Sequence, residues 1–259
     1  MYLAKSIAAS GLRNQQTRID TIAHNVSNAN TVGHKNSRLD FKESLYTTGI
    51  NPGANRTVDG NLQKGHGVMV TAITRDFKPG NMERTERDLD FAIEGEGFFA
   101  FENPGGGVSY GRNGVFNRSV EAGGTFLVNG QGNYVLDQNE NRIALPFGTS
   151  SIAGDVDGSL RFLDGNLNEL GRSSLGIFTF RNLKGLASAG NSTFTETPAS
   201  GARRPAEAAV LRQGVLEQSN VQLSEEMTRL IRTQRAFQLA SRALTTADEM
   251  EGIANNMKR

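Results

Sequence analysis

Three histidines, His24, His34 and His66, are the first residues in this sequence that could do chemistry. None stands at metal-ligand spacing from another, and with no cysteine anywhere, thiolate metal sites and disulfides are excluded. Asp137-Gln138-Asn139-Glu140-Asn141 resembles a calcium loop over five residues. Its sixth position is Arg142, where the sharp turn needs glycine, and its twelfth is Gly148, where a bidentate glutamate belongs. A hairpin turn is the reading that remains. Asp155 and Asp157 could form a carboxylate pair, but Gly154 and Gly158 flank them as in a solvated turn. Gly95-Glu96-Gly97 runs into Phe98, Phe99 and Ala100, so the third glycine of a dinucleotide fingerprint is missing. Arg229, Arg232, Arg235 and Arg242 follow Glu225 and Glu226 along one segment, the pattern of a solvated helical face with internal ion pairs. The residue types therefore predict no catalytic centre, no cofactor and no metal.

The elements that would have to position a site point the same way. The chain has 259 residues, 37% of them hydrophobic, with a mean hydropathy of −0.43. No stretch approaches the roughly 20 apolar residues that span a bilayer, and Met1 to Ser10 lacks the apolar core of a secretory signal peptide. Net charge is +1, from 28 basic and 27 acidic residues, too little for a phosphate-neutralising surface, so neither nucleic acid nor membrane insertion is expected. From Leu3 to about Ala29 apolar residues recur at helical spacing: Leu12, Ile19 and Val26 are seven apart, with Ile22 between. A second helix is predicted from about Val221 to Met257, with Leu223, Leu230, Phe237 and Leu244 seven apart and Met227 widening the stripe. Ser219 with Gln222 fits a capping box, and Ser224 is an equally good start.

The middle reads as β. Phe91 to Glu94, Phe98 to Phe101, Thr125 to Val128, Tyr134 to Leu136, Ile143 to Leu145 and Leu175 to Phe180 are candidate strands. Asn113-Gly114 and Asn129-Gly130 are hairpin-type dipeptides, while 187–204 reads as a loose stretch. The predicted class is α+β: paired long terminal helices, coiled-coil-like, with an inserted antiparallel all-β domain. Residues 1–35 with 217–259 would form the helical assembly domain, 36–67 an extended linker with a turn at Asn51-Pro52-Gly53, and 68–216 the β-rich domain. Leu12, Ile19, Ile22, Val26, Met227, Leu230, Phe237 and Leu244 are the candidate assembly interface.

Four motifs carry a family resemblance. Ala23-His24-Asn25-Val26-Ser27-Asn28-Ala29-Asn30-Thr31-Val32-Gly33-His34-Lys35 resembles the N-terminal signature of bacterial flagellar rod and hook axial proteins, with His24, Ser27 and His34 departing from its usual residues. Asp90 to Phe99 and Tyr110-Gly111-Arg112-Asn113-Gly114 resemble the central motifs. Gly214 to Val221, Glu225-Glu226-Met227 and Gln234-Arg235-Ala236-Phe237 resemble the C-terminal one. The length suits a rod component, the distal one before the proximal. The resemblance implies a helical homopolymer in the basal body, with other rod and hook proteins, the type III export apparatus and surrounding ring proteins as partners, and export without a cleaved signal peptide. It also implies an export motif at Phe41 and Leu45, whose bland alternative is packing under the β domain. The competing class is a secreted β-domain adhesin oligomerised by its helices.

Overall fold

The computed structural model describes residues 2–45, 47–49, 62–121, 123–206 and 208–257. Among the described residues, two α-helices and, between them in sequence, a large antiparallel β region make an α+β chain, as the pattern predicts. Contacts divide it into two compact units: Met1–Ser27, Ser37–Arg75 and Gln222–Arg259 form one, Asn28–Asn36 and Asp76–Val221 the other.

In the first unit, α1 (Tyr2–Ser27) packs on α2 (Leu223–Asn256). The helices run antiparallel, because Lys5 near the start of α1 pairs with Asp248 (2.5 Å) and Glu251 near the end of α2, while Asn25 reaches Glu226 at the opposite end. Ile22 is buried, and Leu12, Ile19, Val26, Leu230, Phe237 and Leu244 are half-buried. Met227 is exposed and stands apart from that seam. With Leu223, Ile231, Leu239, Met250 and Ile253 it belongs to an uncovered apolar face of α2. Strand Ser37–Glu43 pairs antiparallel with Val68–Arg75 in the same unit, with a bulge between Asp40 and Phe41. Asn51-Pro52-Gly53 lies outside the described residues.

The capping box is not formed. The cap of α2 is Gln222, whose side chain makes no capping bond, and Ser219 accepts instead from the nearby Val221 amide at 3.3 Å. The reason is local: Asn220 is bonded to His34 and Asn36 within the second unit, so the chain cannot coil before it is free of that contact. Glu225 and Glu226 in the first turn still place negative charge where the helix dipole favours it.

In the second unit, strand Phe98–Glu102 sits inside a ten-stranded sheet and is buried on both faces. Its residues alternate between two cores. Phe99 and Phe101 join Phe91, Phe116, Leu127 and Phe162; Phe98 and Ala100 join Tyr110, Phe178 and Phe194. That explains the uninterrupted apolar run, since a strand with no solvent face has no reason to alternate with polar residues. A three-stranded sheet (Ser151–Gly154, Ser159–Leu163, Glu169–Ser174) adds Ile152, Leu160 and Phe162 to the first core. Asn129-Gly130 turns the chain with Gly132 N donating to Asn129 O (3.0 Å). Asn113-Gly114 makes no hairpin, because the strands on either side, Val108–Gly111 and Phe116–Glu121, pair with other partners. Gly114 serves close approach: a Cβ there would lie 1.7 Å from the Phe91 carbonyl oxygen. The stretch 187–204, read as loose, contains strands Ala187–Gly190 and Thr193–Thr195, which continue the large sheet.

Gly114→Ala is expected to lower stability by more than about 1–3 kcal/mol, the usual range for overpacking, because backbone and not a movable side chain is in the way. Urea denaturation followed by circular dichroism checks this.

Candidate functional site: a buried charge cluster where the motifs meet

Within the second unit, the end of the N-terminal signature lies against the start of the C-terminal motif. Gly33 N donates to Glu217 O (2.8 Å), Asn36 N to Asn220 Oδ1 (2.7 Å), and Asn220 Nδ2 to the carbonyls of Asp76 (2.8 Å) and Lys78 (3.0 Å). Gly33 has φ +69°, and a Cβ would come within 2.6 Å of Asn113 N, so both conformation and space require glycine.

Under this seam lie three charged side chains, each almost fully removed from solvent: Lys35, Arg112 and Glu217. Lys35 Nζ donates to Glu217 Oε1 at 2.6 Å and to Lys78 O at 2.8 Å. Arg112 Nη1 donates to Glu217 Oε2 at 3.0 Å and to Ile93 O at 3.1 Å, and its Nη2 donates to Gly95 O at 2.7 Å. Gly80 N completes the shell of Glu217 Oε1 at 2.8 Å. The guanidinium carbon of Arg112 also sits 5.5 Å from the centre of the Phe98 ring. One carboxylate thus serves two cations, all three side chains buried. Burial pushes the Lys35 amine below the ordinary lysine value of 10.5, outweighing the opposite pull of Glu217; Arg112 reinforces the lowering.

A parallel device operates in the first unit. Asn25, buried, donates from Nδ2 to Ser37 O (2.8 Å) and to Glu226 Oε2 (3.3 Å), and its Oδ1 accepts from Ser37 N (2.9 Å). Glu226, also buried, accepts from Arg229 Nη1 at 2.6 Å. One side chain of the N-terminal signature therefore anchors both the following strand and the C-terminal helix.

Phe41 lies half-buried on strand Ser37–Glu43, with the Arg18 guanidinium carbon 5.8 Å from its ring centre. It lines a groove of about 520 Å³ with Arg18, Ile22 and Arg38. Leu45 is 88% exposed. Lys35, Arg112, Glu217 and Asn25 stand inside the motifs with no role read from the sequence, and Glu226, read there as part of a solvated helical face, is buried although it does pair with Arg229. The signal was present: charged residues held within Gly-, Phe- and Val-rich runs, where a solvated face would give a longer polar stretch.

Comparison with known proteins tests what these motifs mean. Residues 6–35 match the family described as flagella basal body rod protein, 92–162 the flagellar hook protein FlgE/F/G D1 domain, and 212–257 the flagellar basal body rod FlgEFG protein C-terminal region. The chain is 38% identical to the flagellar basal-body rod protein FlgG of Borreliella burgdorferi over 100% of both chains. The chain belongs to the flagellar basal-body rod protein family. Identity to the FlgG of Bacillus subtilis is 36%, covering 96% of this chain and 97% of the relative. The flagellar hook-basal body complex protein FlhP of Bacillus subtilis matches at 33%, over 99% and 100% of the two chains. This family member is thus a structural subunit of the flagellar basal body, most like the distal rod protein FlgG. Lys35 ends the first matched region, Arg112 lies in the second and Glu217 in the third.

Glu217→Ala is expected to destabilise the β unit by about 3–5 kcal/mol, the scale for stranding buried charge, with Lys35→Met milder because Arg112 still pairs with Glu217. Denaturant titration of the two variants gives the comparison. A second outcome follows from linkage. The folded amine of Lys35 has a lowered pKa, so between that value and 10.5 the unfolded chain binds the extra proton and stability rises with pH. The stability difference between wild type and Lys35→Met should therefore climb with pH across that window and flatten on either side; a difference that falls through the window would contradict it.

Proposed function

We propose that this rod subunit works by helical self-assembly through its terminal helices. The observation that carries this is the division of α2 into two apolar faces. One closes on α1 through Leu230, Phe237 and Leu244, opposite Leu12, Ile19, Ile22 and Val26. The other, from Leu223 through Met227, Ile231 and Leu239 to Ile253, is exposed among the described residues. A helix of 34 residues with an uncovered apolar face is an interaction surface, and a heterologous contact between like copies extends without closing. The first face holds the hairpin, and the second is offered to neighbours. The role is mechanical, transmitting torque, and it involves no catalytic step. Other rod and hook proteins at the two ends of the stack, the surrounding ring proteins and the export apparatus are the partners this reading requires.

Phe41 and Leu45 fit an export motif better than a packing pair. Leu45 has no burial to lose, and two apolar anchors four residues apart suit a hydrophobic groove on a receptor. Export would then proceed from this internal signal with no cleaved leader.

Leu239→Asp is expected to leave the melting temperature and helix content of the monomer unchanged while abolishing polymers in sedimentation, whereas Phe237→Asp loses helix content as well. Unimpaired polymer formation by Leu239→Asp would remove the outer face from the assembly. For export, Leu45→Ala should keep wild-type stability yet accumulate in the cytoplasm, measured by fractionation of producing cells; secretion at the wild-type level defeats the motif.

A further inference from the structure

The outer face of α2 carries charge as well as apolar residues, and the spacing of the two kinds agrees. Arg235, Arg242 and Glu249 are exposed, seven residues apart, and make no ion pair among the described residues. Every other cation or anion near them on α2 that pairs does so elsewhere: Arg229 with Glu225 and Glu226, Asp248 and Glu251 with Lys5. Leu239 (64% exposed) and Ile253 (60% exposed) lie on the same side and are fourteen apart, the same interval that separates Arg235 from Glu249.

We propose that the outer face of α2 is a register-setting docking surface for α2 of a second copy of this chain, the helices parallel and staggered by fourteen residues. This rests on the self-assembly reading above and adds its geometry. At 1.5 Å per residue the stagger is roughly 21 Å along the helix. It sets Glu249 of one copy against Arg235 of the next and Ile253 against Leu239. Arg242 then faces Thr228 on one side and Asn256 on the other. The alternatives are disfavoured by like charge. In-register packing would put Arg235 on Arg235, Arg242 on Arg242 and Glu249 on Glu249. A seven-residue stagger sets Arg242 on Arg235, which cancels its attractive pair, Glu249 on Arg242, whereas the fourteen-residue stagger keeps the attraction alone. An antiparallel pair about position 242 also joins Arg235 to Glu249, but it places Arg242 on Arg242 and closes as a dimer, which ends growth. Fourteen residues are close to four helical turns, and the small angular drift is taken up by a left-handed supercoil. The apolar pair supplies attraction, and the charges select which of the possible alignments it adopts.

The absence of cysteine makes the test clean. The full chain is prepared as L239C, as I253C, as I231C/I253C and as L239C/I253C, polymerised and oxidised. L239C/I253C should give a ladder of covalently linked chains on a denaturing gel, since within one chain the two positions are roughly 21 Å apart and cannot form a disulfide. The single variants should give monomers. Dimers from L239C alone would show in-register packing, and linkage confined to I231C/I253C would show the antiparallel pair; either overturns the proposal. Charge reversal gives a second measurement. Arg235→Glu and Glu249→Arg should each raise the critical concentration for polymerisation about fivefold, the scale of one exposed pair turned from attraction to repulsion, and the double variant should return it to within about twofold. Singles that polymerise like wild type, or a double no better than either single, overturn the register while Leu239→Asp separately reports on self-assembly. If wild type forms no polymer at all, the self-assembly reading falls and the register with it.

Discussion

A buried carboxylate shared by two buried cations is the constraint on which the β unit depends. Glu217 takes Lys35, Arg112 and the amide of Gly80 at once, and none of the three side chains reaches solvent. Buried ion clusters of this kind rarely add net stability over a well-packed apolar core, but the shared carboxylate becomes indispensable once both cations are buried beside it. The geometry spreads that dependence widely. Lys35 fixes the signature segment, Arg112 fixes the turn at Gly95 through a carbonyl bond, and Glu217 fixes the strand that leads to α2. Removing Glu217 strands two cations where no side chain reaches solvent, whereas removing either cation leaves one balanced pair.

The same logic at lower charge governs the helical unit. Asn25 has donors and an acceptor on one short side chain, which lets it hold Ser37 by both backbone groups and still reach Glu226. No apolar residue could do this, and a longer amide would overshoot. The N-terminal signature thus has two working ends, Asn25 in one unit and Gly33 to Lys35 in the other. Each meets a different part of the C-terminal motif, Glu226 and Glu217 respectively. Rod-family membership, shown by matches at 6–35, 92–162 and 212–257, here has a physical content: the matched regions supply the groups that tie the chain's ends to its middle.

Much of this fold was legible in the sequence, for reasons that differ by element. Phe91–Glu94 and Phe98–Glu102 were readable because buried strands concentrate apolar residues between glycines. Both helices were readable from heptad spacing. The start of α2 was not, because Ser219 looked like a cap while its neighbour Asn220 was committed to His34 and Asn36, a contact with no trace in local pattern. Strand Ser37–Glu43 escaped notice for a similar reason. Its partner Val68–Arg75 is separated from it by a polar stretch, and its own residues alternate poorly. The charge cluster was hidden more deeply. Its members are 182 and 105 residues apart in the two pairs with Glu217, so only the arrival of three motifs at one point reveals what they do.

That separation has a consequence in time. A ribosome delivers Lys35 long before Glu217, with 182 residues between the partners. At about 5–20 residues per second the lysine waits on the order of ten seconds or more for its carboxylate. Throughout that interval the signature segment has no seat, and Arg112, once made, has no counter-charge to be buried with. The cluster therefore acts as a clock as well as a clasp: closure of the β unit is postponed until almost the whole chain exists. That delay comes from sequence order alone.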